Sequence, residues 1–258
     1  LVLPAITNYA PSNSAETSAP ANMRELTLAA KLTEDGDLLK EGLTWRIFKP
    51  DPTDDGKLPL IATATGGASR FALEPGSYLV HAAFGRAGIT KRISLTADNR
   101  EEILVLDAGG LKLDAVLSGG VRIPASKLRF SIYSGEDQAN GERALILPDV
   151  KPDDIVRLNT GTYHIVANYG AEHATIRADL KVEAGKLTEA TVEHKAAELT
   201  MKLVREAGGE AIADTAWSVI NPSGEVIKES VGAFASMVLA EGDYTVIAKN
   251  KDKLFQRD

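Results

Sequence analysis

Alternating apolar and polar positions run through this chain in short stretches, and three of these stretches return in a fixed order. The first opens each copy: Leu26-Thr-Leu28, then Leu111-Lys-Leu113, then Leu199-Thr-Met201. The second carries an aromatic: Leu43-Thr-Trp45-Arg-Ile47, Leu128-Arg-Phe130-Ser-Ile132 and Thr215-Ala-Trp217-Ser-Val219. The third reads Leu-x-x-Gly-x-Tyr-x-apolar: Leu73 to Val80, Leu158 to Ile165 and Leu239 to Val246. Its tyrosines, Tyr78, Tyr163 and Tyr244, are 85 and 81 residues apart, and the aromatics of the second stretch are 85 and 87 apart. Period-two alternation places one set of side chains on a buried sheet face. Turn-forming clusters such as Glu34-Asp-Gly-Asp37, Ser118-Gly-Gly120 and Asn221-Pro-Ser-Gly224 separate the stretches.

In the first copy the pattern predicts strands near 25–33, 43–49, 58–65, 69–73, 77–84, 88–96 and 101–107. About seven strands in each copy predict an all-β chain of tandem Greek-key β-sandwiches. The expected boundaries are 23–109, 110–197 and 198–258, preceded by residues 1–22. Residues 184–211 are rich in helix formers. Alignment with the first copy nevertheless reads them as strand, linker and strand, because the packing of a repeated domain overrides weak local preference. The Tyr follows a Gly at a chain reversal, which resembles the tyrosine corner, in which the hydroxyl bonds back to upstream backbone. The Gly is expected to permit a tight backbone there.

The two ends interrupt the repeat. Leu1-Val-Leu3-Pro-Ala resembles Leu104-Val-Leu106-Asp-Ala, the end of the first copy. Leu1–Ile6 therefore reads as a final strand of an earlier copy, followed by a flexible Ser/Ala/Pro linker at 8–22. Measured from Tyr244, the third copy stops about two strands short of the first two. It reads either as a window on a longer repeat protein or as an acceptor for the Leu1–Ile6 strand of another copy.

Composition narrows the function. The net charge of −7 is spread among interspersed acids and bases, with no basic stripe to bind nucleic acid or an anionic membrane. No apolar run reaches transmembrane length. The absence of cysteine excludes disulfides and thiol chemistry. His81, His164, His173 and His194 form no metal-binding spacing and read as surface residues. Asp51-Pro-Thr-Asp-Asp-Gly56 superficially resembles a calcium loop, but the twelfth position is Ala62, so it reads as a turn. Asp153-Asp154 reads as a solvated turn and Gly66-Gly67 as an isolated one; Glu101 and Glu102 point to opposite faces. Trp45 and Trp217 read as core, and Phe84-Gly85 and Tyr169-Gly170 as a shared turn position, leaving Tyr133 and Phe255 as exposed aromatic candidates. No catalytic, cofactor-binding or metal-binding residue emerges, and no cofactor is implied.

Leu73-Glu-Pro-Gly-Ser-Tyr-Leu-Val, the following Phe84-Gly85, and then Ile93-Ser-Leu-Thr-Ala and Ile103-Leu-Val-Leu resemble bacterial immunoglobulin-like repeats. Among these the chain is similar to carboxypeptidase-regulatory-like and collagen-adhesin B-type sandwiches over nearly all of 23–258. Its texture also resembles that of long alphaproteobacterial repeat proteins. The resemblance implies a non-enzymatic spacer, adhesin or assembly unit, located in the periplasm, at the cell surface or outside the cell, with protein partners met through loops and strand edges. Some adhesin sandwiches carry Lys–Asn crosslinks, but no Lys/Asn/Glu set recurs at matching positions here. The alternative functions are a carbohydrate-binding or accessory module of a larger enzyme, and a filament subunit built by strand exchange.

Overall fold

The computed structural model describes residues 22–137, 141–170 and 174–258. The Leu1–Ile6 segment, most of the linker after it and His173 lie outside the described residues. Every regular element described is a β-strand.

The first copy contains β1 (Arg24–Lys31), β2 (Leu43–Phe48), β3 (Leu60–Gly66), β4 (Ser69–Leu73), β5 (Gly76–Phe84), β6 (Ala87–Leu95) and β7 (Arg100–Val105). They form two sheets, in the orders β4-β1-β7 and β3-β2-β5-β6. The second copy contains β8 (Ala108–Leu117), a short β9 (Val121–Arg122), β10 (Leu128–Asp137), β11 (Arg143–Val150), β12 (Ile155–Asn159), β13 (Gly161–Tyr169), β14 (Thr175–Val182) and β15 (Leu187–His194). Its sheets repeat the plan as β12-β8-β15 and β11-β10-β13-β14. The third contains β16 (Ala196–Lys202), β17 (Ala216–Ile220), β18 (Val226–Val231), β19 (Phe234–Ala240), β20 (Thr245–Asn250) and β21 (Lys253–Arg257), in sheets β16-β19 and β18-β17-β20-β21. The expected shortfall of two strands is thus corrected to one. β21 fills the sixth position, pairing Phe255 with Ala248 across a turn in which Lys251 has φ 53°.

The chain packs as two compact units. Of the described residues, one unit takes those up to Ala30, Leu38–Ala82 and Thr90–Leu104; the other takes Lys31–Asp37, Ala83–Ile89 and those from Val105 to Asp258. In the first unit, alternation sends Leu26 and Leu28 of β1, Trp45 and Ile47 of β2, and Tyr78 and Val80 of β5 into one core, each almost wholly buried. In the second unit, the core of the middle copy draws on both its sheets: Leu111 and Leu113 from one, Phe130, Ile132 and Ile165 from the other. A smaller core gathers Trp217, Val219, Met237 and Ala248 of the third copy.

The repeated tyrosine makes the same bond three times. The hydroxyl of Tyr78 donates to the carbonyl of Glu74 at 2.7 Å, that of Tyr163 to Asn159 at 2.8 Å, and that of Tyr244 to Ala240 at 3.0 Å. Each bond ties a strand of one sheet to the end of the strand before it, which lies in the other sheet. The preceding glycine is not explained as expected. Gly76, Gly161 and Gly242 do not adopt a positive φ. A Cβ at any of them would lie 3.7–3.8 Å from the ring of its own tyrosine, an ordinary contact, so neither backbone conformation nor space requires glycine there.

The tryptophan anchor is also bonded. Trp45 Nε1 donates to Gly67 O at 2.8 Å and Trp217 Nε1 to Gly232 O at 3.0 Å, giving each buried indole N–H a partner. Phe130 has no donor to satisfy, and the corresponding turn of the middle copy is Lys151-Pro-Asp-Asp154.

Within the second unit a further contact recurs between copies. Gly85 (φ 65°) lies against Arg157, whose Cβ a new Cβ would meet at 3.0 Å; Gly170 (φ 76°) lies against Val238, at 2.8 Å. Each glycine is seven residues after a repeated tyrosine, and each neighbour is six before the next one. Arg157 also covers the ring of Phe84 at 4.4 Å. The residue between copies accepts a backbone bond in the same register: Thr160 N to Asp107 O and Glu241 N to Lys195 O, both 2.8 Å. Val238 and Ala196 of the third copy pack into the core of the middle one.

Two outcomes are expected. Tyr163→Phe, which strands the carbonyl of Asn159, costs about 1 kcal/mol in urea unfolding; an unchanged midpoint contradicts the structural role of the bond. Gly119→Ala, at φ 84° with open space around it, suffers backbone strain alone, roughly 1–2 kcal/mol. Gly170→Ala adds an overpacking cost of about 1–3 kcal/mol against Val238, so equal losses for the two variants contradict a tight seam.

Candidate interaction site on the first strand of the third copy

The opening strand of each sandwich lies in the sheet that the closing strand completes. β1 lies between β4 and β7, and β8 between β12 and β15. β15 runs parallel to β8, setting Ala190 opposite Leu113 and Val192 opposite Ala115. β16 pairs with β19 from Ala196↔Ala240 to Lys202↔Phe234, and no described strand lies along its other flank.

The same residue type therefore meets different surroundings. Leu26 and Leu111 are 0% exposed, whereas Leu199, at the corresponding position, is 38% exposed. Burying a leucine side chain fully stabilises by roughly 1.5–3 kcal/mol, so part of that stabilisation is still available at Leu199. Beside β16 lies a cleft of about 780 Å³ with an apolar floor of Met201, Trp217, Tyr244, Val246 and Phe255. Lys202, Arg257, Asp243 and Asp258 stand among its polar lining residues. A second hollow, about 630 Å³, continues past Leu199 and Leu239 to Lys195. An apolar floor beside a strand edge suits an extended peptide, which brings both backbone bonds and alternate side chains.

The residues singled out in the sequence lie elsewhere and apart. His81 bonds Thr90 Oγ1 at 2.9 Å in the first unit. His164, in the second, is held by Asp179 at 2.7 Å and meets Tyr133 edge-on. Hydrogen bonds from His164 and then Arg143 keep the Asp179 carboxyl below its usual range. His194 corrects the surface reading: it is 1% exposed, at the end of β15, edge-on to Tyr169. Its Nε2 has no hydrogen-bond partner. The 51–56 segment is a turn closed by Gly56 N to Thr53 O at 2.8 Å, with Asp55 bonded to Thr53 and to the Lys57 amide. Asp153 forms an ion pair with Lys112 at 3.3 Å and reaches Arg122 at 3.6 Å. Burial opposes ionisation of Glu102, but bonds from Lys91 and Arg100 hold it below its usual range. Trp45, Trp217 and Tyr169 are buried, while Phe255 is 44% exposed and Phe234, which alternation alone did not mark, is 60% exposed. No three acidic or histidine side chains among the described residues are placed to share a metal ion. No described helix is long and apolar enough to cross a membrane.

Against known proteins, a family model described as the Rhizobiales growth-associated tandem repeat domain matches residues 198–258, the bounds expected for the third copy. This agrees with the resemblance to alphaproteobacterial repeat proteins. No curated protein matches the chain. Among solved structures, a minor pilin of Streptococcus agalactiae is 16% identical, with a TM-score of 0.37, over 66% of this chain and 95% of that one. A streptococcal ancillary pilin is 10% identical, with a TM-score of 0.34, over 91% and 94%. The shaft pilin SpaA of Lactobacillus rhamnosus GG is 12% identical, with a TM-score of 0.27, over 67% and 97%.

Burial lowers the pKa of His194 below its ordinary value of 6.5, and burial, followed by the charge of Arg46, does the same for His81. The unfolded chain therefore takes up protons first as pH falls. The stability present above about pH 6.5 is lost on going down from there toward the depressed folded-state values. The melting temperature of the second unit is expected to fall between pH 7.5 and 5.5, and His194→Phe to flatten that fall. An identical pH dependence in the variant contradicts the assignment.

Proposed function

We propose that this chain is a non-enzymatic structural and interaction module of a bacterial cell-envelope or extracellular repeat protein, acting as a spacer and assembly unit. The observation that carries the reading is the apolar seam between copies in the second unit. Val238 and Ala196 of one copy pack among buried residues of another, and the Lys127–Glu198 ion pair at 2.7 Å crosses the same seam. Repeats joined through shared hydrophobic surface resist bending as well as unfolding, which suits a spacer. The tandem-repeat match on the third copy supports an array. The three tyrosine bonds serve in this reading as tyrosine corners that stiffen each sandwich.

The repeated side chains go into sandwich cores and seams, leaving loops and strand edges for contact with other proteins. The test is fractionation of the native bacterium carrying the epitope-tagged parent protein, paired with a glycan array probed with the purified chain. The account expects the tag in the periplasmic, envelope or extracellular fraction and no saturable glycan binding. Recovery in the cytosol contradicts the location. Saturable binding to a defined glycan would move the function to a carbohydrate-binding accessory module.

A further inference from the structure

We propose that the edge of β3 pairs with the same edge of a second copy of this chain, antiparallel and about a two-fold axis at Thr63, so that two four-stranded sheets join into one; this deepens the assembly-unit reading above and rests on it. β3, β11 and β18 hold the same place in the three copies. Each ends its four-stranded sheet, beside β2, β10 and β17, and no described strand lies along its other flank. Such an edge presents unpaired N–H and C=O groups, and proteins blunt it with charge, proline or bulges.

The three edges are not equally blunted. The register of β11 against β10 shifts three times, Pro148 interrupts the strand, and Asp149 has φ 56°. The side chain of Arg86 also bonds the carbonyl of Ile146 there. β18 carries Lys228 and Glu229 at its centre. β3 reads Leu-Ile-Ala-Thr-Ala-Thr-Gly from Leu60 to Gly66, with neither charge nor proline. Its one register shift lies at its start, and Ala62 to Gly66 pair with β2 without interruption. Leu58, Leu60 and Ile61 are exposed, as are Thr63 and Thr65.

The occupant follows from what a two-fold axis demands. A strand that pairs with its own copy sets its central residue opposite itself. β18 would thereby set Lys228 or Glu229 against an identical charge, and like charges directly opposite destabilise a strand pair. β3 incurs no such cost. Centred on Thr63, it sets Ala62 opposite Ala64 of the second copy and Ile61 opposite Thr65, so small residues meet small ones and β-branched residues meet β-branched ones. Leu60 then approaches Gly66 of the second copy, where a Cβ would meet nothing within 4 Å, so the leucine has room. In a chain of net charge −7, this edge brings copies together through methyl and hydroxyl groups and keeps the excess acid out of the contact. The contact is isologous and closes at two copies.

The experiment is sedimentation equilibrium on the full chain over a wide range of concentration, alongside the full-length variant Thr63→Lys. Because the chain has no cysteine, single cysteines report the register. An antiparallel pair holds opposite Cα atoms about 4.5–5.5 Å apart, within disulfide reach. Two copies of position 65 would stand about 14 Å apart. The inference expects a mass that rises toward twice the monomer in the parent chain. It expects an association constant at least about tenfold lower in Thr63→Lys, whose added charge meets its like and lies opposite Arg46 of β2. In a glutathione redox buffer, Thr63→Cys should crosslink into a dimer and Thr65→Cys should not; this arm holds even where Thr63→Lys does not fold. A parent chain that stays monomeric overturns the inference, as does association unchanged by Thr63→Lys or equal crosslinking at the two positions. If the parent is monomeric but a synthetic Leu60–Gly66 peptide binds it, the edge accepts a strand from another protein, and a second copy is the wrong partner. None of these results bears on envelope location or glycan binding, so the broader functional reading stands or falls separately.

Discussion

A two-layer sandwich needs cover along both flanks of its opening strand, and that constraint organises this molecule. β8 has β12 on one flank and the parallel β15 on the other, and its leucines are fully buried. The closing strand does two jobs at once, because it completes one sandwich and its last residue leads into the first strand of the next. The fold of each copy is therefore coupled to its neighbour through backbone as well as through side chains. In the second unit the coupling extends to the core, where residues of the third copy pack among those of the middle one.

The tyrosine bond stabilises the chain reversal that makes this arrangement possible. It links the start of the fifth strand position, in one sheet, to the backbone at the end of the fourth, in the other. A single net hydrogen bond contributes only about 1 kcal/mol, so its value lies in fixing where the chain crosses between sheets. With the crossing fixed, the residue seven after the tyrosine in one copy meets the residue six before it in the next, twice over. The seam is thus measured from the same landmark as the corner.

Much of this was legible in the sequence. The alternation around Trp45, Phe130 and Trp217 marked the second strand of every copy, and register with the first copy correctly overrode the helical composition near Leu187–Lys202. What alternation did not show was what contacts distant in sequence impose. His194 reads as exposed because it sits among polar residues on a strand, yet it is buried edge-on against Tyr169 of the same copy. Gly170 carries a demand that comes from Val238, 68 residues away. Lys253–Arg257, a short and wholly exposed segment, did not announce a strand, because its pairing is supplied by β20 rather than by a buried face. Counting from Tyr244 marks how far the third copy runs, but the apolar floor of the cleft is brought together from β16, β17, β20 and β21 and has no signature in any one stretch of sequence.

The central claim is that, among the described residues, β8 has a strand along each flank and β16 along one. Residue-resolved amide hydrogen exchange compares the two strands directly. In a chain of these 258 residues, alternate amides of Ala196–Lys202 should exchange far faster than their counterparts in β8. Protection of β16 equal to that of β8 would contradict the account.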